Sequence, residues 1–512
     1  MSVFSLSKPK KMHDILDFHY ENDPNAVSVS FNSVNYSNKT IYNNVDSLIQ
    51  KLKNSGLVSG DRVAILSKNN VAFIELLYAS SKYGLVLVPL NFRLAYPEIN
   101  FILSDSGSKV LFYEPEFEGI VKQLEKDKLF LTGLIKIGFD GQYVGFNESQ
   151  PSSKAINFSE SKNVPLFQMY TSGTTGRPKG ALISHSGILS LIEHGKDRLG
   201  PFKDHANSLV CMPLFHIAGS AWLFFGLASS CNNILLVDIN PKEILSILEK
   251  SKVTSTLMVP AVVQMVTIAA ESSGIKLNNV ENIVFGASPM PVDILKRAQK
   301  IFPKANFTHV YGMTETTGMF MSLDPIELKN GRRLESCGTC FENSKIKIVD
   351  KDNNELPSNE IGEIICKTDQ IMDGYFNREN STEDAIRDGW FYTGDAGYID
   401  EDGFLFIRDR IKDVVISGGE NIYPAEVENE LMAHSSIVDC AVIGVPDDKW
   451  GETVLAVIVI GPSDFSEIDV KAFLKSRLAG FKIPKEFKIV DALPRNAAGK
   501  VTKAQLRERF CD

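Results

Sequence analysis

Short apolar runs alternate with longer amphipathic stretches along most of the chain. RVAIL at 62–66 and GLVLVPL at 84–90 are continuous apolar runs of strand length, and VAFIELLYASSKY at 71–83 carries helical periodicity between them. The rhythm returns across 208–310, where NIVFGASP leads into the helix-like VDILKRAQKIF and then into a strand ending at Tyr311. This spacing predicts an α/β architecture with mainly parallel sheets, continuous to about residue 408 and free of internal repeats.

Beyond that point the pattern changes. FIRDRIKDVVISGGENIYPAEVENELMAH starts with charge and carries the pair Gly418-Gly419, which reads as a joint followed by a fresh unit. The rest holds two strand-like runs, DCAVIGV and TVLAVIVI, and two helix-like ones, enough for a small α+β domain. The expected organisation is a large multi-subdomain N-terminal domain, residues 1–409, and a small mobile α+β C-terminal domain, residues 410–512. A chain of 512 residues fits this division better than one ordinary domain.

Composition narrows the class without naming it. The net charge of −9 argues against a general nucleic-acid binder, which needs a basic face to neutralise phosphates. The start, MSVFSLSKPKKMHDI, lacks an apolar signal core, and the greasiest stretch, IAGSAWLFFGLASS at 217–230, falls short of the ~20 apolar residues of a membrane span. A cytoplasmic protein is expected. Seven cysteines lie scattered in mostly apolar contexts, as reduced thiols do. Cys337 and Cys340 form a C-x-x-C, but no second pair completes a zinc set, and the eight histidines do not cluster.

Candidate chemistry begins at YTSGTTGRPKG from position 170. Small residues there expose backbone N–H groups and hydroxyls at low steric cost, a way to cradle polyphosphate, and Arg177 or Lys179 adds charge. The Walker pattern fails, because Gly176 is followed by Arg177-Pro178 and Lys179 by Gly180. Alone, the stretch reads equally well as a surface linker. Its company changes the reading. In HVYGMTETTG, Tyr311 offers an aromatic face for a purine, Thr314 a donor for phosphate, and Glu315 a hard oxygen for magnesium. WFYTGDAG offers Asp395, a carboxylate suited to the hydroxyls of a ribose, and RNAAGK ends on Lys500.

With these motifs in this order, the chain resembles the adenylate-forming (AMP-binding) superfamily, and within it the fatty-acid and aromatic-acid CoA ligases. The resemblance runs from GDRVAILSKN at 60–69 to LPRNAAGKVTKAQLR at 493–507. It implies ATP, Mg2+ and coenzyme A as cofactors and a small carboxylic acid as substrate. It places the phosphate loop on Thr171, Ser172, Gly173, Thr174, Thr175, Gly176 and Lys179. The adenine pocket falls on Gly286, Ala287, Ser288, Tyr311 and Gly312, with Thr314 beside the phosphates. Magnesium falls to Glu315 with Thr174 as neighbour, ribose to Asp395 and Arg410, the hinge to Lys412, and the essential lysine to Lys500. His216 stands where the family orients the acyl carboxylate, although a lone His among apolar residues also suits a core. The resemblance further implies that Lys500 serves adenylation, and that Ser417, Gly418 and Gly419 serve thioester formation after the small domain turns.

Two departures stand out. Asp409 replaces a frequent Gly before the hinge arginine, and Gly286-Ala287-Ser288-Pro289 replaces a frequent G-G-A-P, so the Ala287 methyl would narrow an acyl tunnel against a wide aromatic acid. The apolar segments 221–227 and 259–266, with Met313, favour a hydrophobic acid over acetate or an amino acid, a medium- or long-chain fatty acid first and an aromatic, cinnamate-like acid as the alternative. Trp222 is a candidate cap for that channel or a packed core residue. A homodimer and a weak peripheral membrane association stay open, though no basic amphipathic helix calls for the latter. An enzyme that passes its acyl-adenylate to an acceptor other than CoA is the main alternative.

Overall fold

The structure, a computed structural model, describes residues 8–126, 133–137, 143–144, 164–171, 177–200, 202–288, 290–418, 420–447, 449–461, 465–495 and 501–511. The chain forms two compact units, Met1–Lys345 with Lys367–Phe391, and Ile346–Cys366 with Tyr392–Asp512.

The first unit is built on two sheets. In the eight-stranded sheet the spatial order is Gly374–Tyr375, Lys179–Ile183, Phe167–Thr171, Val86–Pro89, Arg62–Leu66, Val110–Tyr113, Gly133–Ile137 and Tyr143–Val144. Its central strands are parallel, and Ala64, Leu66, Val88 and Leu111 join one buried cluster with the helix Tyr96–Ser106 through Ile99, Ile102 and Leu103. The helix Val71–Tyr83 shows why local sequence succeeds here. Asn70 caps it by accepting the Ala72 N–H at 3.0 Å, and Gly84 ends it in a left-handed conformation, φ +77°. It is buried nearly all round, and its one buried charge, Glu75, accepts a hydrogen bond from Asn44 at 2.7 Å.

The nine-stranded sheet runs Thr339–Cys340, Gly318–Leu323, Asn306–Met313, Asn282–Gly286, Ser255–Leu257, Asn207–Val210, Asn232–Leu235, Val27–Phe31 and Val34–Ser37. Parallel pairing from Asn306–Met313 to Val27–Phe31 brings the carboxyl ends of these strands to one edge, where open α/β sheets bind ligands. The strand expected to end at Tyr311 runs on to Met313. The apolar stretch at 217 is the buried helix Ile217–Ala228; Trp222 is 1% exposed and packs its ring 5.1 Å from Phe202, so it serves as core. No described helix is long and apolar enough to cross a membrane.

In the second unit, Trp390–Ile399 pairs antiparallel with Leu405–Arg410. A further sheet contains Glu420–Ile422, Val415–Ser417, Gly451–Ile460, Ile437–Asp447 and Glu486–Ile489. The helices Pro424–Met432 and Glu467–Lys475 bury Val427, Leu431, Val470 and Leu474 against it. Where two helix-like runs were expected, the described residues form three helices. Lys503–Phe510 shows no apolar stripe because Leu506 is its one fully buried side chain. Large parallel-sheet unit and small α+β unit together match the fold expected from the sequence.

Candidate active site

The antiparallel strands Phe167–Thr171 and Lys179–Ile183 form the hairpin from which the glycine-rich loop springs, and Thr171 and Lys179 are register partners at its base. Ser172, Gly173, Thr174, Thr175 and Gly176 lie outside the described residues. Arg177 is exposed, its guanidinium 5.7 Å from the Phe101 ring.

Glu315 closes against this base. It sits in the short 3-10 turn Thr314–Thr316 that follows Met313, and the hydroxyl of Thr316 accepts the Met313 N–H at 3.0 Å. The Glu315 carboxylate is 9% exposed, and its Oε1 accepts two hydrogen bonds, from Thr171 Oγ1 at 3.1 Å and from Tyr375 Oη at 2.9 Å. Tyr375 also places its ring 5.1 Å from Lys179 Nζ. Thus Thr171, Lys179 and Glu315, more than a hundred residues apart in sequence at the extremes, meet around one tyrosine that sequence reasoning missed. An aromatic in DGYFN carries no local sign of such a role.

Along the neighbouring edge lie Gly286, Ala287 and Ser288, at the end of Asn282–Gly286, and Tyr311 and Gly312, near the end of Asn306–Met313. Ala287 and Ser288 are exposed, and Ala287 takes φ +69°, a conformation costly to a residue with a Cβ. Tyr311 is buried, with its ring 5.5 Å from Phe320. A Cβ on Gly312 would stand 1.9 Å from the Gly318 carbonyl oxygen, so only glycine allows these strands to approach. Thr314 is half-buried at the head of the turn.

His216 follows Asn207–Val210 at the same sheet edge. It is half-buried and caps Ile217–Ala228: Nδ1 accepts the Ala218 N–H at 3.2 Å. Accepting at Nδ1 assigns the proton of the neutral ring to Nε2.

The other candidates belong to the second unit. Asp395 is buried and meets Arg410 Nε at 2.8 Å, while Arg410 Nη1 donates to the Thr393 carbonyl at 3.1 Å. Asp409 spends its carboxylate on backbone: Oδ1 accepts the Arg410 N–H at 2.7 Å and Oδ2 the Ala425 N–H at 2.6 Å, at the start of Pro424–Met432. Burial raises the Asp409 pKa, with Lys503 opposing. Lys412 lies exposed in the 3-10 turn Ile411–Asp413. Ser417 ends Val415–Ser417, and Gly418 follows at φ +62° with its N–H donated to the Trp450 carbonyl at 2.8 Å. A Cβ there would fall 2.6 Å from the Trp450 ring. Trp450 is 43% exposed, with Lys449 Nζ and Lys485 Nζ at 4.7 and 5.8 Å from its ring, and was another residue missed from sequence. Gly419 and Lys500 lie outside the described residues; Arg495 and Val501, either side of the latter's segment, form an antiparallel bridge. Cys337 and Cys340 are free thiols, and burial pushes Cys340 up to about 12.

A carboxylate held against the base of a hairpin, at the carboxyl edge of a parallel sheet, is a place where α/β enzymes handle nucleotides. Residues 16–376 match the family model for the AMP-binding enzyme, and residues 426–500 match that for the AMP-binding enzyme C-terminal domain. The chain belongs to this AMP-binding, adenylate-forming family and is a ligase of its class. It is 32% identical to a fatty acid–acyl-carrier-protein ligase from Streptomyces coeruleorubidus, over 96% of this chain and 95% of that one. It is 34% identical to a feruloyl-CoA synthase from an Amycolatopsis species, over 95% and 96%. Among solved structures it is similar to the o-succinylbenzoate CoA synthetase of Bacillus subtilis in complex with its acyl-adenylate intermediate, at 30% identity and TM-score 0.84, over 96% and 97%. The same enzyme in complex with ATP and a magnesium ion matches at 29% identity and TM-score 0.84, over 96% and 99%.

Proposed function

We propose that the protein is an ATP-dependent, AMP-forming acyl-CoA ligase that converts a hydrophobic carboxylic acid, by preference a medium- or long-chain fatty acid, through an acyl-adenylate to a CoA thioester. The observation that carries this reading is the meeting of Thr171 and Glu315 at the base of the phosphate-loop hairpin, where Lys179 stands opposite Thr171.

The donor chemistry there fits magnesium, since Glu315 and Thr171 offer hard oxygens, one of them anionic. When bound, the ion supplies charge neutralisation to the polyphosphate. The acid needs no general base, because a carboxyl group with a pKa near ~4 is already ionised at neutral pH. The barrier is repulsion as one anion approaches another, so this chain contributes positive charge and orientation. Lys179 faces the phosphates from the hairpin, Lys500 the reacting oxygens, and His216 orients the acid through Nε2–H. The adenine lies along Gly286, Ala287, Ser288, Tyr311 and Gly312, and Asp395, steadied by Arg410, takes the ribose hydroxyls. The carboxylate oxygen bonds to the α-phosphorus as the bond to pyrophosphate breaks.

In the second half-reaction the CoA sulfur bonds to the acyl carbon and AMP leaves. Residues 410–512 turn near Lys412, withdrawing Lys500 and presenting Ser417, Gly418 and Gly419 to the thiol. Exposed Trp450 with Lys449 beside Gly418 gives a nucleotide a stacking face and a cation.

A second reading, an aromatic acid of the cinnamate kind, draws equal support from the feruloyl-CoA relative. The test is AMP release with ATP and magnesium on acids from butyrate to palmitate plus cinnamate, each with and without CoA. CoA-dependent turnover should be greatest on the longer fatty acids. Greatest turnover on cinnamate selects the second reading, and adenylate formation indifferent to CoA sinks the thioester step.

A further inference from the structure

We propose that Tyr375 is the positioning residue of the Glu315 carboxylate, and that the segment 370–378 is a strap that ties this carboxylate to the phosphate-loop hairpin. The proposal rests on the nucleotide reading above and concerns how that site is held in register.

The first argument is the geometry at one oxygen. Thr171 Oγ1 and Tyr375 Oη both donate to Oε1 of Glu315, at 3.1 and 2.9 Å. Two donors converging on one oxygen fix the torsion of the carboxylate and commit Oε1 to the protein, so that Oε2 is the oxygen a cation would take. Tyr375 also touches the opposite charge, its ring lying 5.1 Å from Lys179 Nζ. Lys179 in turn is the register partner of Thr171. Thr171, Glu315, Tyr375 and Lys179 therefore form a closed circuit in which each member contacts two others.

The second argument is that the backbone carrying Tyr375 is pinned on both sides. Toward the Glu315 turn, the Thr317 hydroxyl donates to the Gln370 carbonyl at 2.5 Å and the Met372 N–H to the Glu315 carbonyl at 2.8 Å. Toward the hairpin, the Asp373 N–H donates to Leu182 at 2.9 Å and the Phe376 N–H to Gly180 at 2.8 Å, so that Gly374–Tyr375 becomes an edge strand on Lys179–Ile183. The Tyr375 N–H is held by Thr382 Oγ1 at 2.9 Å. Beyond it, Arg62 stacks 3.9 Å from the Phe376 ring centroid and Arg378 pairs with Asp105 at 2.5 Å. A tyrosine needed only for packing would not require its hydroxyl aimed at a carboxylate already bonded by Thr171. Anchoring of this kind sets the hydroxyl in place before any ligand arrives.

The test measures metal and nucleotide binding apart from turnover. Manganese(II) uptake in the presence of ATP is followed by the electron paramagnetic resonance of the free ion, and ATP binding in EDTA by calorimetry. Tyr375→Phe keeps the ring over Lys179 and removes the hydroxyl; its manganese affinity should fall about tenfold or more, with ATP binding in EDTA unchanged. Thr171→Val, which removes a phosphate-loop hydroxyl along with the other donor to Oε1, should weaken both. Tyr375→Leu should weaken both. Tyr375→Phe that takes up manganese like the parent, or that loses metal and metal-free ATP binding in equal measure, overturns the proposal. A parent enzyme that takes up no manganese with ATP overturns the nucleotide reading itself, and the strap with it.

Discussion

Asp395 and Arg410 face one another across two antiparallel strands, with Oδ1 of the first 2.8 Å from Nε of the second. Asp395 is the buried member, at 6% exposed, while the arginine side chain is 41% exposed. Removing the arginine therefore takes a cationic partner from a carboxylate that water reaches poorly, whereas Asp395→Asn leaves a neutral group that still accepts a hydrogen bond. Arg410→Leu should destabilise by about 1–3 kcal/mol, more than Asp395→Asn does, as read from urea unfolding midpoints. Asp395→Asn should instead raise the KM for ATP about tenfold, the loss of a charge-assisted contact to ribose. The reverse order of stabilities would mean that Asp395 needs no counter-ion.

His216 combines a helix cap with a proposed contact to the acid, and two substitutions separate them. Alanine removes both and should cost about 1 kcal/mol of stability as well as raise the KM for the acid. Asparagine caps well at the same position but reaches less far. It should restore stability and leave the KM high. Restoration of both by asparagine would reduce His216 to its cap.

Lys500 and Gly418 are assigned to different half-reactions. Lys500→Ala should slow acid-dependent pyrophosphate exchange by ~10²–10³ and leave thioester formation from supplied acyl-adenylate near the parent rate. Gly418→Ala pushes a methyl toward the Trp450 ring in a conformation glycine alone adopts freely, and should do the opposite. Equal slowing of both half-reactions by either variant would end the division of labour.

Ala287 is held at φ +69°, which costs an L-residue about 1–2 kcal/mol. Glycine would relieve that strain and lose about 0.4–1 kcal/mol through the freedom it gives the unfolded chain. Ala287→Gly should therefore alter stability little, while loss of the methyl shifts preference toward cinnamate in competition with palmitate. An unchanged preference would place the methyl away from the acid.

Burial, with the charge of His13 second, lowers the His185 pKa from 6.5 to about 4, and Nδ1 accepts the Met12 N–H at 3.3 Å. Below pH 6.5 the unfolded chain takes up a proton that folded His185 refuses until about pH 4, so stability falls as pH falls across that window. His185→Asn keeps an acceptor and removes the titration. Its unfolding midpoint should decline less than the parent's between pH 7 and pH 4.5, and parallel decline would assign the acid sensitivity elsewhere.

What could be read from the sequence depended on whether the cause was local. Arg62–Leu66 and Val71–Tyr83 form where apolar runs and caps adjoin in the chain, and both match their expected bounds. Lys503–Phe510 escaped because a helix held by Leu506 and ion pairs, among them Arg507 with Asp413 at 2.8 Å, has no apolar period to detect. Glu315 stood out through its motif, but Tyr375 did not, since its role is a hydroxyl direction set by the pairing of Gly374–Tyr375 with the distant strand Lys179–Ile183. Asp395 and Arg410 were both named from their motifs, but their ion pair was not, since strand register puts them opposite one another.

The bond from the Ala425 N–H to Asp409 also has a mechanical side. Asp409 precedes Lys412 and Ala425 follows it, so the carboxylate clasps the two ends of the chain that passes through the expected pivot. Twisting at Lys412 alone would pull against that clasp and expose an unpaired N–H at a helix start, a loss of about 1 kcal/mol. Either the clasp opens with each domain turn, adding a small restoring force toward the present geometry, or the torsion is taken up ahead of Asp409 and the whole stretch from 409 to 425 travels as one piece. If the chain does turn at Lys412, the residue that departs from the family's usual glycine sets how stiff that joint is.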